Sequence, residues 1–331
     1  MTILEHTWVI VLAGGEGRRL QTLTINEAGV PVPKQYCSLQ GGRSLLHDAL
    51  ERARAVASPE HICAVVAGQH RRWWIRGLPG VVNANIIVQP ENRGTAIGAL
   101  LPLLHILARD PHARVVLLPS DHHVHDEPVL AASLERGIAA LAGGRSDILL
   151  LGVSPDDADP ELGYIVPGAG AEGGLKPVIR FVEKPDVASA RRLIEAGALW
   201  NAFIVMANAQ ALLELFARKY PQTVADMQKA VGRDVEFPDK PDAAEVLYRT
   251  LPTLDFSRHL LEGDESVLRL LAVEHCGWSD LGTPTRVART LERWPPEPAA
   301  RYRLESAGGA PGFLNLARQH ARLSAAAEPL H

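Results

Sequence analysis

Cysteine is scarce in this chain: Cys37, Cys63 and Cys276 are the only three in 331 residues, and none forms a C-x-x-C pair. That excludes a disulfide framework, and a reduced cytoplasmic setting is expected. Long apolar runs are missing too. The most apolar helical stretch, 96–108, is too short to span a bilayer and contains Pro102 and His105, so no membrane partner is expected. No basic leader precedes the first strand-like run. A basic surplus is also absent: the net charge of −4 provides no global field for nucleic acid, and any phosphate site must be built locally. The loop after the first strand-like run offers no third glycine to complete G-x-G-x-x-G, and G-x-x-x-x-G-K-[ST] is absent, which sets aside a dinucleotide fold and a Walker loop.

What is present suits a globular α/β chain, with 47% hydrophobic and 22% charged residues. Strand-like runs at 8–13, 61–67, 85–89, 114–119 and 147–153 alternate with helix-like stretches at 44–56, 95–108 and 127–141. Strands separated by helices imply βαβ crossovers and a mixed, mainly parallel sheet, whose ligands collect at the carboxyl ends of the strands. Past residue 153 the texture changes. Runs at 163–166 and 178–183 flank a Gly-rich hairpin or loop expected at the sheet edge. Helices are expected at 188–196, 209–218, 243–250 and 283–293, with strands at 199–206 and 267–273. The tail beyond 294 reads as a weakly packed helix or disorder.

The run Trp8–Ala13 opens into Gly14-Gly15-Glu16-Gly17-Arg18-Arg19-Leu20, and Pro33-Lys34-Gln35 follows. Glycines let backbone N–H groups curl around an anion, while arginine and lysine neutralise it, so this reads as a triphosphate cradle. The bland alternative is a plain turn after a strand. Pro119-Ser120-Asp121-His122-His123-Val124-His125-Asp126 offers a metal position at Asp121, the first residue beyond a strand. Its three histidines are more simply structural than zinc ligands. Asp280, in Gly277-Trp278-Ser279-Asp280-Leu281-Gly282, reads as a turn residue or as a second carboxylate. Trp73 and Trp74 beside Arg71, Arg72 and Arg76 fit a helix with partly buried tryptophans better than an RNA contact.

Together, Leu12-Ala13-Gly14-Gly15-Glu16-Gly17-Arg18-Arg19-Leu20 and Pro33-Lys34-Gln35 resemble the signature of sugar-phosphate nucleotidyltransferases, most of all the bacterial mannose-1-phosphate guanylyltransferases. The resemblance runs along about 290 residues. It implies a Rossmann-like core with a sugar-binding insertion. Catalytic roles fall on Arg19, Lys34 and Lys184. Nucleotide contacts fall on Leu12, Ala13, Gly14, Gly15, Gly17, Arg18, Gln89, Glu91, Gly94 and Thr95. Sugar contacts fall on Gly163, Tyr164, Glu183, Lys184 and Asn201, and a Mg²⁺ cofactor on Asp121 and Asp280. Three departures stand out. Arg18 replaces a small hydroxyl residue, Gln89 stands where a glutamate is usual (leaving Glu91 to accept from guanine), and Phe203 replaces the glycine of a W-N-[SA]-G element.

The implied reaction is mannose 1-phosphate plus GTP giving GDP-mannose and pyrophosphate. The nucleotidyltransferase domain would occupy 1–294, with a nucleotide half at 1–153 and a sugar half at 154–294, and 295–331 would form a short extension. Another NTP or sugar 1-phosphate, a non-catalytic sugar-nucleotide-binding regulator, and a metallohydrolase on the histidine cluster are the alternatives. A homo-oligomer is left open.

Overall fold

Thr7–Ala13 (β1) is apolar on both sides of its pleat: Val9, Val11 and Ala13 enter one buried cluster, Trp8 and Ile10 a second on the opposite face. Such a strand belongs in the middle of a helix-covered sheet. It pairs in parallel with Ile62–Ala67 (β2), outside which lies Ile86–Gln89 (β3), and on its other side with Arg114–Pro119 (β4). The computed structural model describes residues 3–295 apart from 27, 40–41, 76–77, 79, 146 and 237–242. The tail reading and Arg76 therefore fall outside the described residues.

The second half contributes Ile148–Val153 (β5), Gly163–Pro167 (β6), Leu175–Glu183 (β7), Leu199–Asn208 (β8) and Leu268–Ala272 (β9), in a nine-stranded sheet ordered β3-β2-β1-β4-β8-β5-β9-β7-β6. β8 runs antiparallel to β4 and β5, while β9 is parallel to β5. Parallel pairing thus dominates the nucleotide half, and antiparallel pairing the other. The expected hairpin forms between β6 and β7, but β6 also pairs with the start of β8. It is therefore not a free edge; β8, β5, β9, β7 and β6 close a ring of pairings.

Helices cover both faces. Leu45–Arg54 (α1) and Glu127–Ala142 (α4) pack on the Val9 side; Gly94–Leu107 (α3), Ala209–Lys219 (α6) and Pro221–Glu236 (α7) pack on the Ile10 side. Arg71–Trp74 (α2) is a single turn with half-buried tryptophans, where Trp74 Nε1 donates to the Ala67 carbonyl at 2.9 Å. Val187–Glu195 (α5), Ala243–Tyr248 (α8) and Pro284–Arg293 (α9) complete the set. Side-chain caps fix several starts: Asp126 accepts from Val129 N, Asp186 from Ser189 N and Thr283 from Arg286 N. The sequence reading holds no helix over 221–236. Its apolar face, Val224, Met227 and Val231, is narrow and interrupted by polar residues, and packing rather than propensity forms it.

Candidate active site

A cleft of about 460 Å³ opens where β1 and β4 end, closed on its far side by β6, β7 and β8. Leu12, Gly14, Gly15, Arg19, Gln89, Gly94, Thr95, Asp121, Gly163, Glu183, Lys184, Asn201 and Asp280 all border it. Gly17, Arg18 and Lys34 border an adjoining cavity that shares Arg19 and Asp121 with it. Ala13, Glu91 and Tyr164 border neither.

Buried Gln35 shapes the glycine loop, its amide donating to the carbonyls of Ala13 (2.9 Å) and Gly15 (2.8 Å). This turns those carbonyls away from any anion, which leaves the N–H groups to face it. Gly17 takes the left-handed conformation, φ 60°, and starts the 3₁₀ turn Arg18–Leu20. Arg18 pairs with Glu16 and is mostly in solvent, its side chain 78% exposed, so it does not crowd the loop. Arg19 reaches across the cleft, with Nη1 2.8 Å from Glu161 Oε2.

Lys34 is the buried link between the acidic residues. Its Nζ lies 3.0 Å from Asp121 Oδ2, donates to the Asp280 carbonyl at 2.6 Å and lies 3.4 Å from the Leu281 carbonyl. The resemblance implies a phosphate contact for Lys34. Its ammonium, on a side chain 6% exposed, meets these protein oxygens at the wall of the adjoining cavity. Burial is the largest single influence and would raise the Asp121 carboxyl, but Lys34, His122 and Arg19 together outweigh it and hold the group below the usual carboxylate range. Asp280 Oδ1 is buried and accepts no hydrogen bond, with Arg286 Nε 3.5 Å away. Two carboxylates on one cleft, one with an orphaned oxygen, fit a magnesium ion that completes its shell with phosphate oxygens and water.

The histidines serve packing. His123 and Ser279 exchange backbone hydrogen bonds, and the His125 ring stacks on Trp294 with centroids 4.8 Å apart. His122 meets Trp278 edge to face, and burial pushes the pKa of both His122 and His123 down to about 4. Among the described residues, no three His, Cys, Asp or Glu side chains are grouped to hold a metal.

At the base end, buried Gln89 lies between two glycines: a Cβ on Gly14 would sit 2.7 Å, and one on Gly98 3.1 Å, from its Nε2. Glu91 does not supply the expected acceptor. Its carboxylate is held by Arg93 Nη2 at 2.6 Å, away from the cleft. Gly94, φ +81°, accepts no side chain because a Cβ would lie 2.2 Å from the Leu254 carbonyl. That contact, with Phe256 N–H donating to Thr95 Oγ1 at 2.8 Å, clamps the segment 253–256 onto the start of α3.

At the sugar end, a Cβ on Gly163 would sit 2.6 Å from Glu183 Oε2, and Asn201 Nδ2 donates to Ser257 Oγ at 3.3 Å. Burial pushes the Glu183 carboxyl up to about 7, with the Asp255 charge adding to the rise. The Lys184 side chain makes no hydrogen bond or ion pair among the described residues and borders the cleft. Tyr164 is a correction: it is buried beneath the site, its hydroxyl donating to the Asp159 carbonyl at 3.0 Å. Among the described residues, three non-glycine positions have positive φ, Lys184, Phe203 and Leu281, and all border this cleft or its neighbour. Such strain gathers at functional sites.

A family model described as nucleotidyl transferase matches residues 8–292. The chain belongs to the nucleotidyl transferase family. It is 31% identical over 283 residues to the xanthan biosynthesis protein XanB of Xanthomonas campestris pv. campestris (strain B100), covering 83% of this chain and 57% of that one. It is 26% identical over 285 residues to a mannose-1-phosphate guanylyltransferase of Salmonella muenchen, covering 83% of this chain and 57% of that one. The chain thus spans little more than half the length of these relatives. A crystal structure described as mannose-1-phosphate geranyltransferase from Thermus thermophilus superposes with TM-score 0.72 at 27% identity, covering 88% of this chain and 81% of that one.

Sequence reasoning gave no role to several residues that shape this nucleotidyl transferase cleft. Gln35 lies within the Pro-Lys-Gln element, so its position was marked although its work was not. Glu161 and the pair Arg286–Asp159 (2.6 Å) carried no local signal, because their partners are distant in sequence.

Proposed function

We propose that the protein transfers a nucleotidyl group from GTP to mannose 1-phosphate, giving GDP-mannose and pyrophosphate. One observation carries the reading: Asp121 and Asp280, far apart in sequence, border one cleft with Arg19 and are joined through Lys34. A binding module has no need of that arrangement. The names of the relatives support the choice of mannose and guanine.

The sugar phosphate is ionised at neutral pH, so no general base is required, and catalysis consists of alignment and charge stabilisation. Lys184, unpaired and exposed, holds the attacking phosphate. Glu183 and Asn201 accept and donate hydrogen bonds to sugar hydroxyls. Arg19 stabilises the charge building on the triphosphate as the bond to pyrophosphate breaks in line. The loop N–H groups at Gly14 and Gly15 share that load, and Lys34 keeps the two acidic segments together. Gln89, with both donor and acceptor, faces the base. Asp121 and Asp280 would hold magnesium, which supplies Lewis-acid stabilisation at the α-phosphate.

A panel of four NTPs against several sugar 1-phosphates, scored by pyrophosphate release in magnesium buffer, tests this. Highest kcat/KM for GTP with mannose 1-phosphate is expected. A different preferred pair replaces the substrates while keeping the chemistry, and binding without turnover by any pair ends the enzymatic reading.

A further inference from the structure

Phe203 stands where the resembled W-N-[SA]-G element carries glycine, and its φ is +54°. That left-handed conformation is disfavoured for any residue with a Cβ and is an outlier for a bulky one. The surrounding structure holds it nonetheless. The Phe203 N–H donates to Asn201 Oδ1 at 3.1 Å, and the ring meets Phe256 edge to face with centroids 6.0 Å apart. Phe256 in turn donates its N–H to Thr95 Oγ1. The ring is therefore fixed between a sugar-end residue and the segment that clamps α3, and it borders the cleft alongside Asn201, Ser257 and Asp255.

We infer that Phe203 is a specificity-determining residue for the sugar 1-phosphate, an inference that rests on the nucleotidyl-transfer reading above. The neighbours that would take sugar hydroxyls, Glu183 and Asn201, are polar, and Phe203 places an apolar wall among them. A pyranose held by its hydroxyls on those two residues turns part of its ring surface towards the phenyl group. A C–H surface matches that wall. A hydroxyl or N-acetyl group pointing at it loses water without gaining a partner, or finds no room. The chain thus selects one hexose 1-phosphate against its epimers and its N-acetylated analogue by what stands at position 203. Hydrophobic-pocket discrimination of this kind amounts to roughly 10–200-fold.

The test compares the wild type with Phe203→Gly, Phe203→Ala and Phe203→Leu. It measures kcat/KM for the preferred hexose 1-phosphate, an epimer and the N-acetylated analogue, the KM for the NTP, and the melting temperature. Phe203→Gly is expected to cut the preferred-to-epimer ratio about tenfold or more. The KM for the NTP should stay within about twofold, since the ring touches the sugar end. Phe203→Gly should also melt above Phe203→Ala, because glycine alone relaxes the left-handed backbone. Should the Gly variant not fold, Phe203→Ala carries the same comparison, since it too removes the ring, and Phe203→Leu, which keeps an apolar side chain, should lose less of the ratio. Unchanged ratios in a folded Gly or Ala variant, or equal losses for sugar and NTP, overturn the inference. A wild type that turns over no pair brings down the underlying reading and this one with it; an active wild type with indifferent variants sinks this one alone.

Discussion

The backbones of His123 and Ser279 exchange two hydrogen bonds, each 2.9 Å, and so splice the loop after β4 to the loop before α9. One residue beyond Ser279 lies Asp280, and two before His123 lies Asp121. This small bridge, reinforced by His125 N–H and Asp126 N–H donating to the Cys276 carbonyl, sets the distance at which the two carboxylates work. The histidine-bearing segment is thus the frame on which the two carboxylates are mounted.

That frame depends on Gly277, whose φ is +65° and whose Cβ would lie 2.6 Å from both the His125 Cβ and the Trp294 ring. Gly277→Ala is expected to lower stability by about 2 kcal/mol, from left-handed strain and displaced packing. It should also depress turnover, because Asp280 moves with the loop. Urea unfolding and kcat check this, and a variant with wild-type values in both would show that the loop is not held as described.

Lys34→Met keeps the length of the stem but removes the cation between Asp121 and the Asp280 carbonyl. A buried pair broken on one side leaves an uncompensated charge, but Asp121 is part-exposed and water screens it. The expected loss is about 2 kcal/mol, with magnesium restoring part of it by binding the folded state. Unfolding curves with and without magnesium that coincide would argue against a cation site at these carboxylates.

Arg19→Ala removes a guanidinium that spans the cleft to Glu161. Turnover should fall roughly 100-fold or more while the KM for the sugar phosphate changes little, since the charge it stabilises develops in the transition state. Steady-state kinetics with each substrate varied in turn separates that outcome from a general loss of binding.

The Glu183 carboxyl, raised by burial to about 7 from 4.5, holds its proton more tightly in the folded chain than in the unfolded one. Its contribution to stability is therefore present below about 4.5 and disappears as pH rises through about 7. The ionised form is the better acceptor for sugar hydroxyls, so the KM for the sugar phosphate should fall across the same range. Glu183→Gln should lose that inflection while retaining the one from the substrate's own phosphate. A KM profile with the same shape in both proteins would exclude the role.

Much of the fold was legible because strands buried on both faces are continuous apolar runs. β1, β2, β4 and β5 announce themselves in this way, and glycine with a following arginine marks the cleft at the end of β1. α7 was not legible, since its apolar stripe is narrow and only the packing of Val224, Met227 and Val231 in the core defines it. Among site residues, Glu91 and Tyr164 were read from the order of motifs, which cannot say which way a side chain points. Arg93 draws Glu91 aside, and the pleat of β6 sends Tyr164 into the core.

Residue types and their order determined which chemistry this chain is equipped for: a glycine cradle, two distant acids, a lysine at a strand exit. These are local properties, set by φ preference, charge and apolar period. Tertiary structure decided where each charge finds its counter-charge. It set Lys34 between the two acidic segments, made the histidines a brace, and held Phe203 in a conformation that its own backbone disfavours. The physical reason is that such choices are made by partners distant in sequence, and only the closed fold brings those partners within a few ångströms.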